Sequence, residues 1–353
     1  MSSVCGRKLT VTVFGQSHAD AIGVVVDGLP AGLHVDMEQL QAFMQRRAAG
    51  GAFATARKEA DVPEFVSGLV DGVTCGAPIT ALIRNENVRS GDYSDLRDHP
   101  RPSHADYPAS VRFGGANDIR GGGQFSGRLT AALCVAGGLC KQFLATKGIA
   151  VGGHIASIGG ICDDRFDAVT VAADDFLTDS FPVINAEVKA AMQERITAAR
   201  SEGDSVGGTI ECAAVGLPAG IGDPLFDGLE NRISSIVFGI PAVKGIEFGN
   251  GFDAAELTGS ENNDAYYFDG DVVKTRTNRH GGILGGISTG MPLVLRVAIK
   301  PTPSIAKEQE TVELSTKSTY RLSIKGRHDP CVVPRAVPCV EAALAIALAD
   351  YLV

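Results

Sequence analysis

Tryptophan is absent from the 353 residues, and aromatic side chains make up only 6% of them. The core must therefore be built from aliphatic side chains and close backbone contacts, for which 43 glycines are available. Nowhere do roughly 18 apolar residues follow one another, so no helical membrane span is expected. The N-terminus shows no basic-then-apolar segment with a cleavage site, so no export signal is expected. C-x-x-C spacing is also missing. The eight cysteines are scattered among apolar neighbours, which fits buried free thiols in a reducing cytosol better than a disulfide framework. Positive charge is in deficit as well. A net charge of −9 argues against a protein that coats nucleic acid, yet it leaves room for a locally basic pocket.

What is present reads as a mixed fold. Lys8 to Phe14 and Ile22 to Val26 are strand-like. Asp36 is a helix N-cap with Gln39 three residues on, and Met37, Leu40, Phe43 and Met44 give the helix its apolar face. That helix should end at Arg46-Arg47, with Gly50-Gly51 stopping it. Strands are expected at Glu64 to Val70, Ile79 to Arg84, Val206 to Val215 and Pro292 to Ile299. Helices are expected from Ser126 to about Lys147, over Glu187 to Arg200, partly over Pro224 to Phe238, and over Pro338 to Leu352. Residues 85 to 125 read as one long loop. Strands and helices do not alternate strictly, which favours antiparallel sheets over a doubly wound parallel one.

Three titratable clusters lie far apart in sequence. They are Gly15-Gln16-Ser17-His18, Arg101-Pro102-Ser103-His104-Ala105-Asp106 and Gly326-Arg327-His328-Asp329-Pro330. Only folding could bring them together, and a loop histidine beside serine suits acid or base work. His18, Asp20, His104, Asp106, His328 and Asp329 could in principle ligate metal, but no His-x-x-x-His or His-Glu-x-x-His spacing supports it, and no metal is expected. Arginines border the same segments: Arg46, Arg47 and Arg57; Arg89, Arg97, Arg101, Arg120 and Arg128; Arg327 and Arg335. Guanidinium forks suit carboxylate and phosphate oxygens, so the set fits a small, multiply anionic substrate. Gly121-Gly122-Gly123 before a helix, and the Lys300-Pro301-Thr302-Pro303-Ser304 turn, are further candidate anion cradles.

Taken in order, these motifs resemble those of the chorismate synthase family. The matching stretches are Val26 to Gly32, Arg57 to Asp61, Arg101 to Asp106, Asp204 to Gly208, Pro241 to Gly245, Gly281 to Ser288, Lys300 to Thr302, Gly326 to Pro330 and Arg335 to Pro338. The resemblance runs from Lys8 to the C-terminal helix. It implies a single domain over residues 1–353 with an α+β fold, a β-α-β sandwich whose helices are enclosed between antiparallel sheets.

The resemblance also implies a cytoplasmic homotetramer that eliminates phosphate (1,4-anti) from 5-enolpyruvylshikimate 3-phosphate and requires reduced FMN without net redox change. His18, His104 and Asp329 would be catalytic. Arg47, Arg57, Arg327 and Arg335 would hold substrate. Gln124, Phe125, Ser126, Ala242, Gly285, Lys300, Pro301, Thr302, Pro303, Ser304 and Arg327 would contact the flavin.

Several positions depart from the family pattern. Gln16 stands where many members have glutamate, which removes a partner for protonated His18. Gln124-Phe125-Ser126-Gly127-Arg128 replaces an Arg-Ser-Ser-Ala-Arg run, Pro241 replaces an asparagine, and Ala48-Ala49-Gly50 replaces Arg-Pro-Gly. Ala52-Phe53 stands where a basic residue is common, which argues against direct NADPH or NADH contact, and the lack of large insertions points to an external flavin reductant. Two other readings remain open: a non-catalytic flavin- or anion-binding relative, and a metal-dependent phosphatase.

Overall fold

The computed structural model describes residues 2–48, 60–86, 96–324 and 329–353. Its first part makes a five-stranded sheet and one helix: β1 (Val4–Cys5), β2 (Thr10–Gly15), β3 (Ala21–Asp27), α1 (Met37–Arg47), β4 (Glu64–Ser67), a short β5–β6 ribbon (Leu69–Val70 with Val73–Thr74) and β7 (Ile79–Arg84). The sheet order is β1-β2-β3-β7-β4. Val24 and Val26 on β3, and Ile79, Ala81 and Ile83 on β7, turn inward at every second position, as a sheet with one buried face requires. Asp36 caps α1 by accepting from the Gln39 N–H at 2.8 Å.

Downstream come α2 (Asp106–Phe113), α3 (Thr130–Ala145), β8 (Ala150–Ile158), β9 (Ile161–Cys162), α4 (Ala186–Ser201), β10 (Gly208–Val215), α5 (Leu229–Val237) and β11 (Val243–Phe248). A single turn α6 (Gly259–Asn262) and the hairpins β12–β13 (Tyr266–Asp269, Val272–Thr275) and β14–β15 (Ile283–Leu284, Ile287–Ser288) precede β16 (Leu293–Ile299). The hairpin β17–β18 (Gln309–Glu313, Ser318–Leu322) and the closing helix α7 (Val333–Leu352) complete the chain. The second sheet has the order β11-β16-β10-β8-β9. Every strand pair among the described residues is antiparallel.

Helices α3 and α7 lie against each other between the two sheets. α3 packs on β2, β3 and β7, and α7 packs on β8 and β10. Both helices are apolar around most of their circumference, which suits an element with neighbours on every side. The sandwich anticipated from the sequence is the fold observed. A charged residue inside it, Glu341 of α7, is fully buried and held by Arg46 at 2.6 Å and Lys141 at 2.5 Å. Two cations offset the desolvation of that carboxylate. Arg46 is thereby committed to the architecture.

Some expectations need correction. Residues 85–125 contain α2, whose Pro108 sits in the first turn where its missing N–H costs little. The closing helix starts at Val333 instead of Pro338. Pro338 lies inside it, and the helix forgoes one hydrogen bond there while packed on all sides. Strand β8 escaped notice because Gly152 and Gly153 interrupt its pattern; a Cβ on Gly152 would stand 2.2 Å from Phe176. Ser126 does not open the long helix directly. It caps a 3₁₀ turn at Gly127–Leu129 that runs into α3. Cys75 and Cys162 are exposed, although five other cysteines are buried. Among the described residues no helix is long and apolar enough to cross a membrane. Gly50 and Gly51 lie outside the described residues.

The α3–α7 contact depends on small residues. A Cβ on Gly137 would meet the Ala342 Cβ at 2.2 Å and its Cα at 2.4 Å. Gly137→Ala should therefore destabilise the protein by about 1–3 kcal/mol through overpacking, despite a gain of roughly 1 kcal/mol in helix propensity. Urea unfolding checks this, and a variant as stable as the parent would contradict the packing.

Candidate active site

A cavity of about 610 Å³ opens beside the end of α1, the starts of α3 and α7, and strand β11 of the second sheet. Its described wall carries four arginines and two lysines (Arg47, Arg101, Arg128, Arg335, Lys244, Lys300) against two carboxylates, Asp61 and Asp329. An acidic chain thus presents a cationic pocket. Phe125 and Phe238, both partly exposed, supply apolar wall.

The guanidinium groups are fixed by buried partners. Arg47, at the end of α1, donates from Nη1 to Asp61 at 2.6 Å, from Nε to the Thr130 hydroxyl at 3.0 Å, and from Nη2 to the Gly127 carbonyl at 3.0 Å. Arg128 grips the other oxygen of Asp61 and donates to Asn85 at 2.9 Å. Burial opposes ionisation of Asp61, but Arg47 and Arg128 outweigh it and hold the carboxyl below its ordinary range. Arg335, in the first turn of α7, pairs with Asp329 at 2.5 Å and donates to the Arg47 carbonyl at 3.0 Å. Burial lowers its pKa, and nearby Arg47 adds to that. Lys300 is likewise lowered, first by burial and then by repulsion from Lys244. Two ammonium groups close enough to repel, with no ion pair to either among the described residues, favour an anion between them.

His104 sits in the loop that leads into α2. Its Nδ1 lies 2.7 Å from Asp106 Oδ1 and 3.1 Å from Arg101 Nη2. The shorter contact, to a carboxylate, selects Nδ1–H as donor, because Arg101 donates to Asp106 itself at 2.7 and 2.8 Å. Nε2 then faces the glycine turn: a Cβ on Gly122 would lie 3.4 Å from it. Arg101 Nη1 also reaches Ser304 at 3.0 Å, and Lys300 donates to the Ser103 carbonyl at 3.0 Å. The histidine loop and the Lys300 to Ser304 turn are thus stapled together.

On the other flank of the same turn stands His18. A Cβ on Gly121 would meet its ring and the Ser17 hydroxyl at 2.7 Å. Gly121, Gly122 and Gly123 all have positive φ (58°, 82° and 53°), so only glycine lets the backbone pass between the two imidazoles. The Ser17 N–H donates to the Gly123 carbonyl at 3.1 Å and fixes that approach. Asp118, held below its usual range mainly by Arg120, also feels His18. Strain concentrates at the cavity too. Of the six non-glycine residues with positive φ among the described residues, Asp61, Ser103 and Ala242 line it.

The chorismate synthase family model matches residues 9–353. A chorismate synthase of Lancefieldella parvula is 47% identical over 367 residues, covering 100% of this chain and 96% of the relative. One of Thermococcus gammatolerans is 46% identical over 348 residues, covering 98% and 96%. The chain belongs to the chorismate synthase family. A crystal structure of chorismate synthase matches the fold with a TM-score of 0.75 at 27% identity, over 98% of this chain and 92% of that one.

Most of the residues expected from the family pattern meet at this one cavity. Arg47, His104, Gln124, Phe125, Ser126, Ala242, Lys300, Thr302, Pro303, Ser304, Asp329 and Arg335 line it, His18 stands behind Gly121, and Pro301 is in the Lys300 to Ser304 turn. Gly285 is placed elsewhere. It forms the tip of the β14–β15 hairpin with Gly286, both at positive φ, where the two-residue turn itself requires glycine. Arg57, Arg327 and His328 lie outside the described residues, as does Arg89. Arg97 and Arg120 serve local contacts instead, with the Gly115 carbonyl and Asp118.

The sequence gives Asp61 and Lys244 no role beyond their places in the Arg57 to Asp61 and Pro241 to Gly245 stretches. Asp106 appears there within the Arg101 to Asp106 motif and as a possible metal ligand, with no orienting role. The His-x-Asp spacing of residues 104 to 106 was the available signal for an oriented imidazole. Lys244 and Asp61 gave none, since their partners come from other elements.

Burial works against the Asp106 carboxylate, but hydrogen bonds from Arg101 and then His104 outweigh it and hold its pKa well below the ordinary 3.8. A depressed folded-state pKa gives stability that is present above pH 3.8 and is lost as pH falls towards the folded value. Asp106→Asn should cost roughly 3 kcal/mol near neutrality, and the gap to wild type should shrink on acidification below that point. Urea midpoints measured across pH check this; a gap independent of pH would contradict it.

Proposed function

We propose that this chain catalyses the reaction of its family, converting 5-enolpyruvylshikimate 3-phosphate to chorismate with loss of phosphate, a carbon–oxygen lyase reaction. The supporting observation is the pair of histidines on either side of the Gly121–Gly123 turn, next to a cavity whose cations outnumber its carboxylates. The substrate carries one phosphate and two carboxylates, so a pocket of this charge and volume suits it.

The wall also fits a flavin mononucleotide. Partly exposed Phe125 and Phe238 offer faces to a planar ring, and Lys300 with the hydroxyls of Thr302 and Ser304 suits a phosphate tail. Reduced FMN, when bound there, supplies electron density that is returned within each turnover, so the reaction has no net redox change. Ser126, Ala242, Gln124 and the Lys300 to Ser304 turn would hold it.

The remaining work falls to side chains. Arg47 and Arg335, together with Arg57 and Arg327, bind phosphate and carboxylate oxygens. His18 delivers a proton to the departing phosphate. His104 keeps its Nε2 towards the ring site because Asp106 occupies its Nδ1. Asp329, paired with Arg335, takes part in removing the proton that leaves with the second bond. We also read the chain as a single domain, as a homotetramer in which apolar surface such as Phe226, Phe252 and Phe268 is covered, and as dependent on an external flavin reductant.

An anaerobic assay with photoreduced FMN and substrate tests this directly. Chorismate should form, and His18→Ala or His104→Ala should lower turnover by about 10²- to 10⁴-fold with binding less affected. Arg335→Ala should weaken substrate binding, because phosphate or carboxylate oxygens lose a charged partner. Tight binding of both ligands without product would instead favour a non-catalytic relative.

A further inference from the structure

Two thiols stand directly behind the cavity wall. Cys134 of α3 and Cys339 of α7 are buried, with sulfurs 3.9 Å apart. Cys339 also lines the cavity, so a small solute that enters reaches one member of the pair. Each lies one helical turn beyond a group that builds the site. Four residues before Cys134 is Thr130, which holds Arg47 Nε at 3.0 Å. Four residues before Cys339 is Arg335, whose carbonyl accepts the Cys339 thiol at 3.4 Å and whose guanidinium pairs with Asp329. A disulfide needs its sulfurs about 2.05 Å apart. Bridging would therefore reorient both side chains and take the Cys339 sulfur from its bond to the Arg335 carbonyl, loosening the turn that carries Arg335.

We infer that Cys134 and Cys339 form a peroxide-sensitive dithiol whose oxidation to a disulfide displaces Arg47 and Arg335 and switches the site off. The oxidant is hydrogen peroxide. The Cys339 thiolate attacks one peroxide oxygen, an S–O bond forms as the O–O bond breaks, and hydroxide leaves. Cys134 then attacks that sulfur, the S–S bond forms, the S–O bond breaks, and the oxygen departs as water. The two thiol protons finish in water, so each cycle converts two thiols and one peroxide into a disulfide and two waters.

Cys339 is suited to the first attack. A hydrogen bond from Cys134, then the Arg47 and Arg335 guanidinium groups, lower its pKa below the ordinary thiol value against the cost of burial. Burial pushes Cys134 well above the ordinary thiol value, as suits the proton-bearing partner. Reduced flavin held in this cavity would, when oxygen oxidises it in a side reaction outside turnover, release peroxide beside the dithiol; that source rests on the function proposed above.

The test uses the full chain carrying Cys75→Ser and Cys162→Ser, which removes the two exposed thiols. After peroxide treatment, denaturation and alkylation, mass spectrometry should find a peptide pair joined through residues 134 and 339. Affinity for inorganic phosphate and turnover should both fall about tenfold or more, and dithiothreitol should restore both. Adding Cys134→Ala should abolish the bridge while leaving turnover before oxidation unchanged. Recovery of both thiols in alkylated form, or a bridge that leaves phosphate affinity unchanged, would overturn the inference. If the bridge forms and phosphate affinity falls, yet the reduced chain never makes chorismate, the function fails and the dithiol stands.

Discussion

A single carboxylate shared by two buried guanidinium groups, Asp61 between Arg47 and Arg128, is the contact on which the cavity depends. It joins the end of α1 to the start of α3, and through the Arg47 carbonyl it reaches Arg335 on α7. Burying two cations and one anion leaves one positive charge over, and that surplus faces the cavity. Such an arrangement is costly to assemble and strongly destabilising to break, because removing the shared partner leaves uncompensated charge in a dry interior. The same logic recurs with Asp106, which binds Arg101 and orients His104.

The scaffold around this contact explains why it can persist. Two antiparallel sheets enclose α3 and α7, and close backbone contacts such as Gly137 on Ala342 hold the helices in fixed register. Thr130, Arg335 and the two thiols behind them are therefore presented from rigid turns. The strained positions Asp61, Ser103 and Ala242 sit on the loops that these rigid elements support. A chain with net charge −9 can thus maintain a positive pocket: its acidic residues are spread elsewhere, and the cations that count are locked in place.

Legibility in the sequence followed the range of the interactions. Local signals were accurate: the Asp36 cap, the alternating strand β7 and the apolar faces of the central helices appear where periodicity places them. Signals that depend on distant partners were not legible. Strand β8 hides behind its glycines, and Pro338 looks like a helix start because the packing that tolerates it comes from other elements. The residues named from the family pattern come close together in space: His104, Asp329 and Arg335 line one cavity, and His18 stands behind Gly121. Gly285, named from the same pattern, forms the tip of a hairpin and is not among the residues that line the cavity. Arg46 looked like Arg47 in sequence; only Glu341, far along the chain, separates their roles.

The central claim is that the locked cations around the paired imidazoles are the substrate's binding surface. A crystal structure of the chain with oxidised FMN and 5-enolpyruvylshikimate 3-phosphate tests it most directly. The account predicts substrate phosphate and carboxylate oxygens against Arg47 and Arg335, with His18 and His104 flanking the ligand pair. Ligands seated outside the cavity, or in it with their anionic groups turned away from those arginines, would contradict it.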